Sequence, residues 1–138
     1  MQDRFKFRIF DKVQNKMIEL DAVGYSSFDP FSKGINRLIM IPAGLNNTFS
    51  YNKQCLYENN NFSEPMQCTG LKDKNGELIY EEDIVRNNLH NNLVEWYKGG
   101  FWINGFINGA KWNIHLCHTS LEVIGNIYEN PELLRNEE

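Results

Sequence analysis

"MQCTGLKDKNGELIYEEDIV", which occupies residues 66–85, is the stretch from which the fold class follows. Its first six residues have the composition of a strand, KDKNG is a polar turn, and ELIY is the returning strand or a short extended piece. Gly76 after Asn75 supplies the left-handed backbone conformation that hairpin turns need, at almost no steric cost. EEDIV then leads into a strand that starts near Asp83. The stretch therefore predicts a hairpin followed by the entry into a further strand.

The residues that follow repeat this alternation of strands and turns. LVEWY and FWINGF flank a Lys-Gly-Gly turn at 98–100, which predicts a second hairpin. KWNIHLCH at 111–118 alternates between apolar and polar residues, so we expect a strand there. LEVI at 121–124 indicates a further strand that ends at a Gly125-Asn126 bend, and Asn-Pro at 130–131 predicts a short terminal turn or helix.

The N-terminal part of the sequence also contains strand patterns. RFKFRIFD at 4–11 and MIEL at 17–20 flank a polar turn, which predicts a hairpin. Residues 21–37 are rich in Gly, Ser, Asp and Pro and are predicted to be mainly loop. RLIMIP at 37–42 indicates a buried strand, and its final proline should close that strand or lie at a sheet edge.

These patterns predict an all-β fold with at most short helices. Strand spacing, β-branched and aromatic content and frequent Gly and Asn turns favour a small SH3-like or related barrel in the C-terminal half, preceded by an N-terminal strand segment. The polar tract at 58–65 is the best linker in the chain. We therefore expect an N-terminal β segment over 1–64, with a possible role in oligomerisation, and a small β-barrel domain over 65–138.

Charge and cysteine content disfavour several classes of protein. The formal net charge is −4, and residues 66–138 hold six Lys or Arg against eleven Asp or Glu. An acidic C-terminal half disfavours non-specific duplex DNA binding, which needs clustered basic residues. The three cysteines, at 55, 68 and 117, form no close pair, which is typical of reduced thiols. No segment approaches the about 20 apolar residues of a membrane helix, so we expect a cytoplasmic protein without membrane contact.

Three segments carry a resemblance to a known family. They are KFRIFDK at Lys6–Lys12, TGLKDKNG at Thr69–Gly76 and VIGNIYENP at Val123–Pro131. Through them the chain is identified as a member of the YopX family, small proteins of bacteriophages and prophages of Gram-positive bacteria. The resemblance implies a β-rich fold, a phage setting and a tendency to self-associate, and it implies no established activity.

Two positions differ from the family pattern. Phe10 stands where the family usually has Trp, and Glu82 stands where it usually has Gly. A glycine permits a positive φ or a close backbone approach. Glu82 therefore indicates either ordinary dihedral angles or a turn that never needed glycine.

The opening stretch contains five carboxylates, which are candidates for acid–base catalysis or cation binding. Glu81 and Glu82 point to opposite faces if the backbone is extended. Asp83 is better explained as a strand-entry residue whose carboxylate accepts hydrogen bonds from nearby backbone amides. We predict structural roles for these side chains, no catalytic residue and no enzymatic activity. The five carboxylates are Asp73, Glu77, Glu81, Glu82 and Asp83.

HLCH at 115–118 is the one metal-like cluster in the sequence. His115 and Cys117 share a face of the predicted strand, and a bend at its end would bring in His118. Structural zinc sites usually present two tight ligand pairs, and only one candidate pair exists here. We therefore predict no metal site and no cofactor. A fourth zinc ligand would have to be Cys55, Cys68 or His90.

Aromatic residues are concentrated within seventeen positions of the C-terminal half. Trp96 and Tyr97 are adjacent, as are Phe101 and Trp102, so in regular strands one member of each pair faces away from the core. Exposed aromatic residues anchor protein partners or stack nucleobases. A second packed layer of the core is the structural explanation of the same residues. The set is Trp96, Tyr97, Phe101, Trp102, Phe106 and Trp112.

Two binding functions are consistent with this aromatic set. Base stacking is usually accompanied by basic residues, and few lie near in sequence. We therefore predict a non-enzymatic module that binds a host or phage protein, and we expect it to form a homo-oligomer. A single-stranded nucleic-acid binder is the alternative. The candidate binding residues are Trp96, Tyr97, Phe101, Trp102 and Trp112, and the basic residues for the alternative are Arg86, Lys98 and Lys111.

Overall fold

The computed structural model describes residues 5–26, 37–42, 56–57, 62–88, 90–105 and 110–135. Nearly all regular structure in these ranges is antiparallel strand, with one four-residue α-helix, Ile114–Cys117. The prediction of an all-β fold with at most short helices is therefore confirmed. The chain divides into two units, Lys6–Pro65 and Met66–Glu138 together with Met1–Phe5. Separate folding of 1–64 and 65–138 stays a prediction.

The first unit is an antiparallel sheet. The hairpin predicted at its start is confirmed, with Phe7 opposite Leu20 and Ile9 opposite Ile18. Ile9 and Leu20 form a small core, against which Phe7, Ile18 and Phe62 pack. The strand order is β4-β3-β2-β1. The strands are β1 (Phe7–Asp11), β2 (Lys16–Ser26), β3 (Arg37–Pro42) and β4 (Leu56–Tyr57).

Strand β2 is longer than the sequence predicts. It continues through Asp21–Ser26, where a loop is expected, after a register shift between Leu20 and Ala22. The reason is tertiary: this segment pairs with the apolar strand β3, from Ala22 opposite Ile41 to Ser26 opposite Arg37. Backbone pairing with a distant strand therefore overrides the turn-forming preference of these residues. The remainder of the predicted loop, 27–36, lies outside the described residues.

The second unit combines a hairpin with a five-stranded antiparallel sheet. The sheet order is β10-β9-β8-β7-β11. An SH3-like closure of this sheet stays a prediction. The strands are β5 (Met66–Lys72), β6 (Leu78–Tyr80), β7 (Asp83–Asn87), β8 (His90–Tyr97), β9 (Gly100–Gly105), β10 (Ala110–Asn113) and β11 (Glu122–Asn126), with α1 (Ile114–Cys117) and 3-10 turns at His118–Ser120 and Pro131–Leu134.

The core of this unit lies between the sheet, the β5–β6 hairpin and α1. It is built from wholly buried aliphatic residues with Phe101 at its border, and Leu71, Cys117 and Val123 pack against it. Removing so much apolar surface from water is the main stabilising term of the unit. The fully buried members are Ile79, Val85, Val94, Ile103, Ile114 and Leu121.

The strand predicted over 111–118 ends early. Strand β10 stops at Asn113, whose side-chain oxygen accepts a hydrogen bond from His115 N at 2.8 Å and so caps the N-terminus of α1. The helical turn directs Ile114 into the core. The alternation of KWNIHLCH was therefore misleading after its third residue, because over so short a stretch a helix start and a strand share the same pattern.

The Lys98–Gly99 turn confirms the second predicted hairpin. Tyr97 pairs with Gly100, which leaves a two-residue connection between β8 and β9. Lys98 and Gly99 have φ values of 46° and 79°. Two positive φ angles are what a type I′ hairpin turn requires.

Candidate functional site

Strand pairing divides the aromatic candidates between the two faces of the sheet. Trp96 lies opposite Phe101, and Glu95 lies opposite Trp102. Directly opposed residues of an antiparallel pair point to the same face. Phe101 is only 9% exposed and lies in the core, so Trp96 shares the core face. Tyr97 and Trp102 alternate with them along the strands and lie on the outer face.

Two tryptophans of the core face are exposed. Trp96, near the end of β8, is 55% exposed, and Trp112, in the edge strand β10, is 62% exposed. Trp112 lies opposite Ile103 of β9, so the two indoles stand on either side of β9 on one face. The Trp96 ring also meets Phe101 edge to face, with ring centroids 4.9 Å apart. We call Trp96 and Trp112 the tryptophan surface.

On the outer face, Tyr97 contacts Trp102, Lys98 and Lys111. Its ring is perpendicular to that of Trp102, with centroids 6.5 Å apart. Lys98 Nζ and Lys111 Nζ lie 5.3 and 4.5 Å from the Tyr97 ring centroid. Contacts of this kind are attractive because the ring face carries partial negative charge. The two ammonium groups are thereby held beside one half-exposed aromatic ring.

Glu95 compensates part of this positive charge. It forms an ion pair with Lys111, and its Oε1 accepts a hydrogen bond from Asn104 Nδ2 at 3.3 Å. Trp102 Nε1 and Asn104 Oδ1 are buried, and neither has a hydrogen-bond partner in the part of the chain that the structure describes. The outer face therefore combines a compensated charge pair with two polar atoms that are costly to bury.

The three basic candidates do not form one cluster. Lys98 and Lys111 meet at Tyr97, whereas Arg86 lies opposite Asn91, near the other end of β8. Its Nε donates a hydrogen bond to Asn91 Oδ1 at 3.2 Å. The described part of the sheet therefore has no continuous stripe of basic residues along the aromatic residues.

The structure corrects the predicted surface set at one position and adds an exposed residue that sequence reasoning missed. Phe101 belongs to the core, because it faces inward from β9. Leu116, which the sequence placed on an apolar strand face, is 87% exposed on α1. The N-cap residue Asn113 was the signal for this helix. Phe106 lies outside the described residues.

Asp73 organises the KDKNG turn. Its buried carboxylate accepts hydrogen bonds from Asn75 N and Glu77 N through Oδ1, at 2.8 and 2.9 Å, and from Val123 N through Oδ2, at 2.8 Å. Asp83 is also buried, and its Oδ2 accepts from Tyr80 N at 2.8 Å, as predicted for a strand-entry residue. Both carboxylates hold backbone amides, which is a structural role.

The two C-terminal segments that carry the family resemblance bind each other. Val123 N donates to Asp73 Oδ2, and Lys74 N donates at 3.0 Å to the carbonyl oxygen of Leu121, two residues before the second segment. Glycine fits at position 125 without displacing a neighbour, whereas a Cβ there would stand 2.4 Å from Asn130 Oδ1. The segments are therefore interlocked, because the KDKNG turn is bonded to β11, the edge strand of the five-stranded sheet.

The HLCH stretch has the contacts of a structural turn. Cys117 Sγ donates to Asn113 O at 3.5 Å, and His118 Nδ1 lies 3.1 Å from Lys72 O. Burial raises the pKa of the Cys117 thiol, which disfavours the reactive thiolate. Within the described residues, no three His, Cys, Asp or Glu side chains are grouped so that they could hold a metal ion. Cys55, one of the suggested fourth ligands, lies outside those residues.

The fold and these contacts define a class: an antiparallel β protein whose signature turns are fixed by buried polar side chains and whose five-stranded sheet carries exposed aromatic residues on β8 and β10. In the described ranges, no helix has the length and hydropathy needed to cross a bilayer. The family model described as YopX protein matches residues 6–135. The chain belongs to the YopX family.

Two solved structures are similar over nearly the whole chain. Protein EF1440 from Enterococcus faecalis is 28% identical with a TM-score of 0.52, and the match covers 94% of this chain and 97% of that one. Protein yopX from Bacillus subtilis is 21% identical with a TM-score of 0.55, covering 96% and 99%. The second likeness shows a shared fold. No curated protein matches this chain.

Proposed function

We propose that this chain is a phage or prophage accessory protein of the bacterial cytoplasm that acts as a non-enzymatic protein-interaction module. The tryptophan surface anchors its partner, a host or phage protein. The observation that carries this proposal is the exposure of Trp96 and Trp112, at 55% and 62%, in a unit whose other sheet residues on that face are largely buried. The phage setting is supported by the family resemblance alone.

Physical reasoning favours a protein as the occupant of this surface. Tryptophan is enriched among the residues that dominate binding energy at protein interfaces, because covering an indole removes a large apolar area from water. Trp96 is also held in place by its edge-to-face contact with Phe101. A side chain that is already ordered loses less conformational entropy on binding. Lys111, the basic neighbour of Trp112 in the sequence, points to the opposite face of β10, where it contacts Glu95 and the Tyr97 ring. It therefore does not lie beside the Trp112 indole, as phosphate binding next to a stacked base would require.

The test is a pull-down with the tagged full chain from lysate of host cells in which the phage or prophage is active. We expect Trp96→Ala combined with Trp112→Ala to lose a stoichiometric, nuclease-resistant protein partner while circular dichroism stays native. Phe5→Ala is the matched control, because Phe5 is 72% exposed and lies outside the surface. Partner recovery that is equal in the double variant and the control would refute the role of the tryptophan surface.

The nucleic-acid alternative has its own observation and a different set of residues. Tyr97 offers a ring for stacking, and Lys98 and Lys111 lie beside it. The ion pair of Lys111 with Glu95 weakens this alternative, because Lys111 must exchange a carboxylate for a phosphate. Under it, single-stranded oligonucleotide affinity falls as salt rises, and Tyr97→Ala reduces affinity where the double tryptophan variant does not. Recovery that collapses on nuclease treatment would support this alternative.

Self-association is measured in the same samples. The expected homo-oligomer should appear in light scattering of the purified full chain. If the double tryptophan variant converts an oligomer to a monomer, the partner of this surface is a second copy of the chain and not a host or phage protein of another sequence.

A further inference from the structure

The dipeptide Asn-Gly occurs three times in the sequence, at 75–76, 104–105 and 108–109. The structure describes the first two and places them in contrasting backbone settings. Asparagine before glycine is chemically labile, because glycine has no side chain to hinder attack of its backbone nitrogen on the preceding side-chain amide. Whether this attack takes place depends on how firmly the local backbone is held, which makes the two settings informative.

Asn75 lies in an exposed turn with space around it. Gly76 has a φ of +83° and no atom within 4 Å of the position where a Cβ would stand. The side-chain amide of Asn75 makes one long contact, from Nδ2 to Glu122 Oε1 at 3.5 Å. The nucleophile, Gly76 N, donates to Asp73 O at 3.1 Å, so a single turn hydrogen bond has to open before attack.

Asn104 is held much more tightly. It lies in β9, between β8 and β10, and the following Gly105 is paired with Asn92 on one side and Ala110 on the other. Its side-chain Nδ2 donates to Glu95 Oε1 at 3.3 Å. Gly105 is the last residue of β9, and opening it for attack requires separating this end of β9 from the strands on both sides, which costs more than opening one turn.

We propose that Asn75 is a site of spontaneous deamidation, a covalent modification without an enzyme. Gly76 N bonds to Asn75 Cγ as the bond from Cγ to Nδ2 breaks. The proton of Gly76 N leaves with Nδ2 as ammonia, and a succinimide ring remains. One water molecule then opens the ring at either carbonyl, which gives aspartate or isoaspartate. No oxidant or reductant takes part.

The modification changes the contacts of the turn with β11. The product carries a carboxylate where Asn75 Nδ2 had reached Glu122 Oε1, and like charges repel. Lys74 Nζ, 3.3 Å from Glu122 Oε2, compensates only one of the two. Asp73 Oδ1 accepts hydrogen bonds from Asn75 N and Glu77 N. Isoaspartate at position 75 adds one backbone atom between these two amides. The interlocked segments are therefore loosened at this turn.

The test follows conversion at each Asn-Gly in the intact full chain, incubated in mildly alkaline buffer and sampled over time. Digestion with pepsin in acid limits conversion after sampling, mass spectrometry reads the amide-to-acid mass change at each position, and isoaspartyl methyltransferase labels isoaspartate. We expect conversion at Asn75 to be at least several-fold faster than at Asn104 in buffer, and the two rates to become similar in urea, which removes the protection of β9.

Three outcomes decide the matter. The proposal is supported if Asn75 converts faster than Asn104 in buffer and the two rates become equal in urea. Isoelectric focusing of the peptide that contains residue 75 should then show a new negative charge in the incubated wild-type chain and none in Asn75→Gln. Equal rates in buffer, or an unconverted Asn75 when the urea sample is fully converted, would overturn it. Asn75→Asp, which fixes one product, should lower the urea midpoint relative to Asn75→Gln. No change between these two variants would refute the proposed loosening.

Discussion

Replacing Glu82 by glycine should stabilise the protein. Glu82 follows Glu81 in the turn between β6 and β7 and has a φ of +66°, which L-residues rarely adopt. The conformation is fixed from outside the turn, because Glu82 N donates to Val94 O at 2.9 Å and Glu82 O accepts from Ile127 N at 3.1 Å. Glu82 stands where the family usually has Gly, and one interpretation was that its dihedral angles are ordinary. The positive φ shows that this interpretation is wrong. The turn adopts the conformation that glycine favours.

The magnitude follows from two opposing terms. A left-handed conformation costs a residue with a Cβ about 1–2 kcal/mol, and glycine avoids that cost. Glycine also gives the unfolded chain more freedom, which reduces stability by roughly 0.5–1 kcal/mol. Relative to Glu82→Ala, the net gain in free energy of unfolding for Glu82→Gly is therefore about 0–1.5 kcal/mol.

Urea denaturation at neutral pH measures this gain, and Glu82→Ala is the matched control. Alanine removes the carboxylate and keeps the Cβ, so the difference between the glycine and alanine variants isolates the backbone term from any contact of the Glu82 side chain. We expect the glycine variant to have the higher midpoint at an unchanged m-value. A glycine variant no more stable than the alanine variant would show that the positive φ stores no strain.

Three further predictions follow from the same unit. Asp73→Ala should lower the free energy of unfolding by about 2–4 kcal/mol, measured in urea, because three backbone amides lose their acceptor; a loss below that of a typical exposed substitution would contradict the role of Asp73. Gly125→Ala should destabilise by roughly 1–3 kcal/mol through the clash with Asn130, and Asn130→Ala should restore part of that loss in a double-mutant cycle, whereas strictly additive effects would exclude the clash. Since burial raises the pKa of Cys117, iodoacetamide should modify it more slowly in the native chain than in urea at neutral pH, with the native rate rising as alkaline pH forms thiolate; equal rates in both would show that the thiol is not protected.

Local turns were predictable from the sequence because single residues determine them. Gly76 and Gly99 have φ values of +83° and +79°, which few residues other than glycine adopt, and each stands at the tip of a predicted hairpin. The continuation of β2 through Asp21–Ser26 was not predictable in this way. Its cause is the pairing with β3, a partner more than ten residues away along the chain. Local composition carries no information about such a partner.

The sequence predicted that neighbouring aromatic side chains of the candidate site point to opposite faces of the sheet. It did not predict which of them are exposed to solvent. Adjacent aromatic residues in a strand must face opposite ways, and Phe101 and Trp102 do so. The exposure of Trp112 depends on β10 being an edge strand and on its ending at Asn113, where α1 begins. Both depend on the topology of the sheet, which the sequence pattern alone leaves open.

The segments that identify the family and the residues proposed to bind a partner have different physical roles. The polar side chains of the signature segments point at backbone groups: Asp73 at Asn75, Glu77 and Val123, and Asn126 at the amides of its own turn. The tryptophan surface makes no comparable bonds to the signature segments in the described part of the chain. Changes at Trp96 or Trp112 should therefore alter binding with little effect on folding, whereas changes at Asp73 should alter folding first. A family resemblance carried by the signature turns consequently establishes the fold, whereas binding of a partner is tested by the variants at Trp96 and Trp112.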